Sequence, residues 1–202
     1  MAQKQRIRPS QTRAVQMRRD LLDSTLHLLA VSGADSLTTS AIVEHAHVSS
    51  GTFYRYFNDK AEILGVLRDE AVDAITSDLM AGVVRALELA PDDAVREVVL
   101  TLVDAFERHR AVILTMVNAM PAGSNANVLP EVESRLFQLA AVLPRRHRPD
   151  LTPEQLDALV FMTMGVLMST CLRIALQPPP GSSRDELVGL TVAMIGAGLH
   201  AA

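Results

Sequence analysis

The run TTSAIVEHAHVSSGTFYRYFNDKAEIL, Thr38 to Leu64, carries the densest local signal in the chain. Thr38 or Thr39 can open a short helix bearing Ile42, Val43 and Ala46, and Ser49 or Ser50 can open a second one ending near Tyr56. Hydroxyl side chains start helices because they accept hydrogen bonds from the unpaired N–H groups of the first turn. Two short helices across so brief a turn, the second headed by small polar residues, form a helix-turn-helix arrangement. Ser49, Ser50, Gly51 and Thr52 are small enough to let a helix N-terminus approach a major groove, where its backbone N–H groups favour phosphate. Four of the seven aromatic residues follow at once, Phe53, Tyr54, Tyr56 and Phe57. Phe53 and Phe57 are four apart and share one helix face, suited to a core, whereas Tyr54 lies on another and can offer its hydroxyl to phosphate.

Outward from this run the apolar spacing is helical nearly everywhere, and no stretch of period-two alternation makes a convincing strand, so the fold class is all-α. A first helix is expected from about Thr12 to Val31, closed by Gly33. Another begins near Asp59, a capping residue, and runs to about Ala81. Beyond Pro91 the pattern restarts with Asp92 and Asp93, where negative charge suits the helix dipole, and breaks near Arg110. Further helices are expected at about 111–120, 130–143, 152–176 and 183–200. Pro144, Pro149 and Pro178-Pro179-Pro180-Gly181 punctuate them. The domain reading is a basic flexible arm over 1–15, a helix-turn-helix domain over 16–62, and an effector-binding and dimerisation domain over 63–202.

Composition narrows the function classes. Apolar residues make up 49% and charged residues 21%, ordinary globular usage that argues against disorder. Cys171 has no partner for an internal disulfide, which points to a reducing cytoplasm. No signal-peptide core follows the N-terminal residues, and the strongly apolar uncharged stretch Ala158 to Leu172 amounts to roughly 22 Å of helix against about 30 Å of bilayer hydrocarbon. Net charge is −4, but residues 1–65 carry eight Lys/Arg against six Asp/Glu, while 66–202 carry eleven against seventeen. Lys4, Arg6, Arg8, Arg13, Arg18 and Arg19 oppose only Asp20 in the first twenty residues, a cationic tether of the kind that meets phosphates.

Thr38, Ile42, Ala46, Val48, Ser49, Gly51, Thr52, Tyr54, Tyr56, Phe57, Lys60 and Ile63 stand at the spacing of the DNA-binding segment of the TetR family of transcriptional regulators, which this chain resembles over about residues 18–65. The resemblance implies that Thr39, Ser50, Thr52 and Arg55 read bases or backbone, that Tyr54, Tyr56 and Lys60 grip phosphates, and that Thr38, Ser49 and Gly51 belong to the same DNA-facing surface. It implies a homodimer on double-stranded, palindromic operator DNA, with repression relieved by a small-molecule effector that moves the helix beginning at Asp59. There are departures. His47 stands where the family has Gly, so a slightly strained left-handed turn is expected. Ser50 replaces a frequent Lys or Pro, and Ser24, Thr25 and Ala34 replace apolar or aromatic residues, which points to looser packing under the first helix.

The C-terminal part offers weaker signals. Gly165, Ser169, Gly189, Ala193, Gly196 and Ala197 give small surfaces on the last two long helices, apt for a four-helix dimer interface. Five of nine methionines sit at 116, 120, 162, 164 and 168. Met serves irregular cores and also lines adaptable apolar pockets. In the family context an effector pocket walled by Phe106, Met116, Met120, Phe137, Met164 and Met168 is expected, with a mainly apolar effector. The histidines show no HExxH spacing, and neither a GxSxG elbow nor a phosphate-binding Gly-rich loop occurs, so catalytic residues, cofactors, metal and membrane are not expected. The rival reading is a helical ligand-binding or adaptor protein without sequence-specific DNA binding.

Overall fold

A computed structural model describes residues 9–118, 137 and 140–201, and all regular structure among them is helical. The elements are α1 (Pro9–Ser32), α2 (Thr39–His45), α3 (Ser50–Tyr56), α4 (Lys60–Ala86), α5 (Pro91–Arg108), α6 (Arg110–Asn118), α7 (Val142–His147), α8 (Pro153–Leu176) and α9 (Arg184–Ala201). The chain divides between Asp69 and Glu70, inside α4, into an N-terminal head and a C-terminal body.

In the head, α1 begins at Pro9, whose missing N–H costs nothing in a first turn. Arg13 therefore stands in a helix, a correction to the flexible arm expected over 1–15; Lys4, Arg6 and Arg8 lie outside the described residues. Gly33 ends α1 at φ 72°, its N–H donating to the Leu29 carbonyl. Leu21, Leu22, Ile42, Phe53, Phe57 and Ile63 form the buried centre. One of the three positions expected to loosen the packing under α1 is closed. Thr25 is fully buried, and its hydroxyl donates to the Leu21 carbonyl at 2.8 Å, so a polar residue fills an apolar position with its donor satisfied inside its own helix.

In the body, α5, α8 and α9 pack on one another around Val99, Leu102, Phe106, Cys171 and Val188. The second half of α4 lies against α5 so closely that a Cβ on Gly82 would stand 2.7 Å from the Thr101 hydroxyl. Asp78–Arg108 and Arg85–Glu97 ion pairs flank that contact. His109 separates α5 from α6, close to the expected break. Pro144 does not terminate a helix. It sits in the first turn of α7, where no intrahelical donor is required, and most of the helix expected at 130–143 falls outside the described residues. Thr152 and Gln155 form a capping box on α8, and Ser183 and Glu186 exchange equivalent bonds at the start of α9.

The membrane expectation needs one amendment. The uncharged stretch is short, yet α8 as a whole is 24 residues and by length and apolarity is comparable to a membrane span. Half of its apolar window is buried inside the body, where Met164, Leu167 and Cys171 belong to the core.

Candidate functional site

The turn between α2 and α3 is built from backbone bonds that a single residue makes possible. Val48 N–H donates to the Val43 carbonyl at 3.0 Å and His47 N–H to the Glu44 carbonyl at 3.1 Å, the paired bonds of a Schellman motif. That motif places the residue after the cap in the left-handed region, and His47 takes φ 54° there without being glycine. The strained turn expected from the sequence is thus present. It reverses the chain within four residues, from Ala46 to Ser49, and delivers Ser49 as the cap of α3.

Each short helix is pinned at its start by a hydroxyl. Thr38 Oγ1 accepts from Ala41 N–H at 3.1 Å, and Ser49 Oγ accepts from Thr52 N–H at 3.2 Å while lying 3.0 Å from Thr52 Oγ1. On α4, Asp59 accepts from Glu62 N–H at 2.8 Å, and the Glu62 carboxylate accepts from Asn58 N–H and Nδ2. Orphan donors of α2, α3 and α4 are thereby satisfied locally.

α3 then sorts its side chains by face. Phe53 and Phe57 are buried, with ring centroids 5.8 Å apart, and Arg18 from α1 lies over the Phe57 ring. Ser50, Gly51, Tyr54 and Arg55 are exposed. They form two i, i+4 pairs, Ser50 with Tyr54 and Gly51 with Arg55, which lie side by side on the outer surface. Tyr54 is 58% exposed, so its hydroxyl is free to meet a partner while its ring edge rests against Phe53. Thr39, Thr52 and Tyr56 are half-buried at the margin, and Arg55 lies over the Tyr56 ring. Lys60 Nζ donates to the Leu37 carbonyl at 3.0 Å, which uses one of its three protons and leaves two for a phosphate. The internal tie of Lys60 was not separable in sequence from a contact with a partner, because Leu37 lies 23 residues away. The stack of His27 on His45, with ring centroids 4.7 Å apart, had no sequence signal, because α1 and α2 meet only in the fold.

The body holds an apolar cavity of about 60 Å³, partly open to solvent. Leu79, Val83, Val95, Val98, Ala140, Leu143, Pro144, Met164, Leu167 and Ile195 line it, and Thr163 adds the one hydroxyl. Among the expected effector residues Met164 lines this space. Phe106 and Met168 are buried in the core and Met116 is partly buried against it, whereas Phe137 is exposed and Met120 lies outside the described residues. The methionine stripe divides because 164 and 168 fall on the inner face of α8 and 162 falls on the outer one. Cys171 is shut in the core, and burial pushes its thiol up to about 12, so it stays protonated at neutral pH. Among the described residues no group of three or more His, Cys, Asp or Glu side chains is placed to hold a metal ion.

The outer face of α8 and α9 is the second notable surface. Phe161, Met162, Leu190 and Met194 are 70%, 64%, 63% and 57% exposed, and Gly165 and Ser169 on α8 are exposed as well. Phe161, Leu190 and Met194 were missed in sequence, because α8 and α9 are largely apolar on every side. Gly196 belongs elsewhere: it is buried, and a Cβ there would stand 3.2 Å from Asp92 Oδ1, so it faces α5. Half-buried Gly189 and exposed Ala193 and Ala197 line, with Gly196, a groove shared with Asp92, Asp93 and Arg96 of α5.

Comparison with known proteins matches both parts of the chain. A family model described as bacterial regulatory proteins, tetR family, covers residues 21–67, and one described as a tetracyclin repressor-like C-terminal domain covers 90–197. No curated protein matches the chain. Among solved structures, the chain is similar to a protein of unknown function from Rhodococcus sp. RHA1, at 18% identity over 98% of both chains with a TM-score of 0.69. It is similar to the TetR family regulator PfmR from Thermus thermophilus, at 18% identity over 89% of this chain and 96% of that one, TM-score 0.61. A third similar structure is the fatty acid degradation regulator FadR from Bacillus halodurans, at 16% identity over 88% and 93%, TM-score 0.64. At these identities the structures show a shared fold, and the family models, one of them spanning more than half of the sequence, add the relationship: the chain belongs to the TetR family of bacterial regulatory proteins.

Proposed function

We propose that this protein is a dimeric transcriptional repressor that binds a palindromic operator through α3 and leaves it when a small, mainly apolar effector occupies the body. The observation that carries the reading is the division of α3. Phenylalanines lock one face into the head while Ser50, Gly51, Tyr54 and Arg55 stand together on the other. Such a surface offers a hydroxyl and a guanidinium to phosphates and base edges, with nothing bulky between them and a groove.

One head contacts too few base pairs to be selective, so two copies must act together, about 34–36 Å apart on successive major grooves. The exposed face of Phe161, Met162, Leu190 and Met194 supports the pairing. Water-exposed apolar side chains of this size on two adjacent helices are stabilised by burial against a second copy. The cavity supports the effector, and α4, which contributes residues to both head and body, is the covalent route between them. Linkage then requires that an effector weakening DNA binding also bind less well to the DNA-bound dimer.

A fluorescence-anisotropy titration of the full-length protein against DNA flanking its own gene, at two salt concentrations, tests the reading. Sequence-selective, salt-sensitive binding is expected, and Lys60→Ala should lower the salt slope by about one. Ligand or protein binding without any DNA selectivity would replace this reading with that of a helical adaptor.

A further inference from the structure

We infer that the effector is an amphipathic organic anion, with a short alkyl tail in the body cavity and a carboxylate on the end of α7; this rests on the effector reading above. The cavity wall supplied by α7 is Leu143 and Pro144. The next residues are Arg145, Arg146 and His147. Both arginines are exposed and have no ion-pair partner among the described residues, whereas nearby Arg148 is clamped by both oxygens of Asp150. His147 is half-buried one helical turn beyond the cavity-lining Leu143, a spacing that puts the two on one face of α7, and its Nε2 is buried with no hydrogen-bond partner.

The helix dipole accounts for cations at a helix C-terminus. It does not account for a buried imidazole nitrogen left unsatisfied one turn from a cavity-lining leucine, because such an atom loses its water without replacement. A carboxylate at this point would accept from His147 Nε2–H and neutralise the adjacent guanidinium charges, while its chain entered a space that offers a single hydroxyl. A neutral alcohol would recover only the apolar contacts, and an amine would meet cations. The cavity holds about 60 Å³, under half of the ~150 Å³ that accommodates a benzene ring, so the tail is short or the cavity widens around it.

The test is calorimetric titration of full-length protein with n-butyrate, n-hexanoate and n-octanoate, and with the matched primary alcohols and amines. DNA release is followed in parallel. Carboxylates are expected to bind at least tenfold more tightly than alcohols, with affinity rising about fourfold per added methylene until the cavity is filled. Arg145→Gln combined with Arg146→Gln, and His147→Phe separately, should each lower carboxylate affinity about tenfold and leave the alcohols unchanged. Leu167→Trp, which fills the cavity, should abolish both series. Equal binding of alcohols and carboxylates, indifferent to the charge substitutions, would overturn the anionic head while leaving an apolar effector in place. Failure of every series to bind, or to release DNA that the protein otherwise holds, would overturn the effector reading itself.

Discussion

The head and the body of this protein are both helical, yet they are held in different ways. In the head, short helices begin and end at named side chains: Thr38 and Ser49 cap α2 and α3, His47 turns the chain, and Asp59 with Glu62 starts α4. In the body, long helices meet partners far away in sequence, with Cys171 against Val99 and Arg184 against Asp104. Local chemistry shapes the first and nonlocal packing the second. The sequence offers a convenient way to watch them separately, because both tyrosines lie on α3 and there is no tryptophan. Tyrosine fluorescence therefore reports on the head, and far-UV circular dichroism mainly on the longer helices of the body.

The largest effect is expected from the body core. Phe106 is fully buried, and Phe106→Ala should cost about 3–5 kcal/mol in denaturant unfolding followed by circular dichroism. A loss under about 1 kcal/mol would mean that the body is not organised around α5. Next comes Gly82→Ala, whose new Cβ would meet Thr101 at 2.7 Å, at a cost of about 1–3 kcal/mol. The double change with Thr101→Ala should recover part of it. Ser49→Ala removes a cap in the head and should cost about 1 kcal/mol, seen as an earlier transition in tyrosine fluorescence. An equal shift in the body signal would break the distinction between the two regions.

A smaller contribution is gated by pH. His109 is held below the ordinary imidazole value, first by burial and then by the neighbouring Arg108 charge. A depressed folded-state pKa gives stability that is fully present above about pH 6.5, the unfolded value, and is lost as pH falls through the folded value. His109→Gln should therefore flatten the decline in body stability between about pH 7 and 5, and an unchanged pH profile would refute the assignment. The smallest effect is His47→Gly in the head. Relief of the left-handed strain exceeds the extra chain entropy by roughly 0.5 kcal/mol, so the tyrosine transition should move later. A clear destabilisation would show that the imidazole makes a contribution beyond its backbone.

Legibility followed the same division. The hydroxyl caps, the Gly33 stop and the inward Phe53–Phe57 pair could all be read from residues at most a few positions apart, and the left-handed turn at His47 from the family resemblance. The effector wall could not. Leu79, Leu143, Met164 and Ile195 converge on one cavity from four helices, and no spacing within any of them marks that convergence. The exposed Phe161 and Met194 were equally hidden, since an apolar residue on a largely apolar helix does not declare whether it faces core or water.

By itself the sequence determined the helical class, the place of the turn before α3, and which face of α3 turns inward, because these depend on hydrogen bonds and side-chain angles within one or two turns of chain. Only the tertiary structure decided which methionines point inward, that Gly196 meets α5, that Lys60 is tied to Leu37, and where the cavity lies. Those outcomes depend on the angles at which separate helices cross, and many arrangements of the same amphipathic faces satisfy the same local pattern.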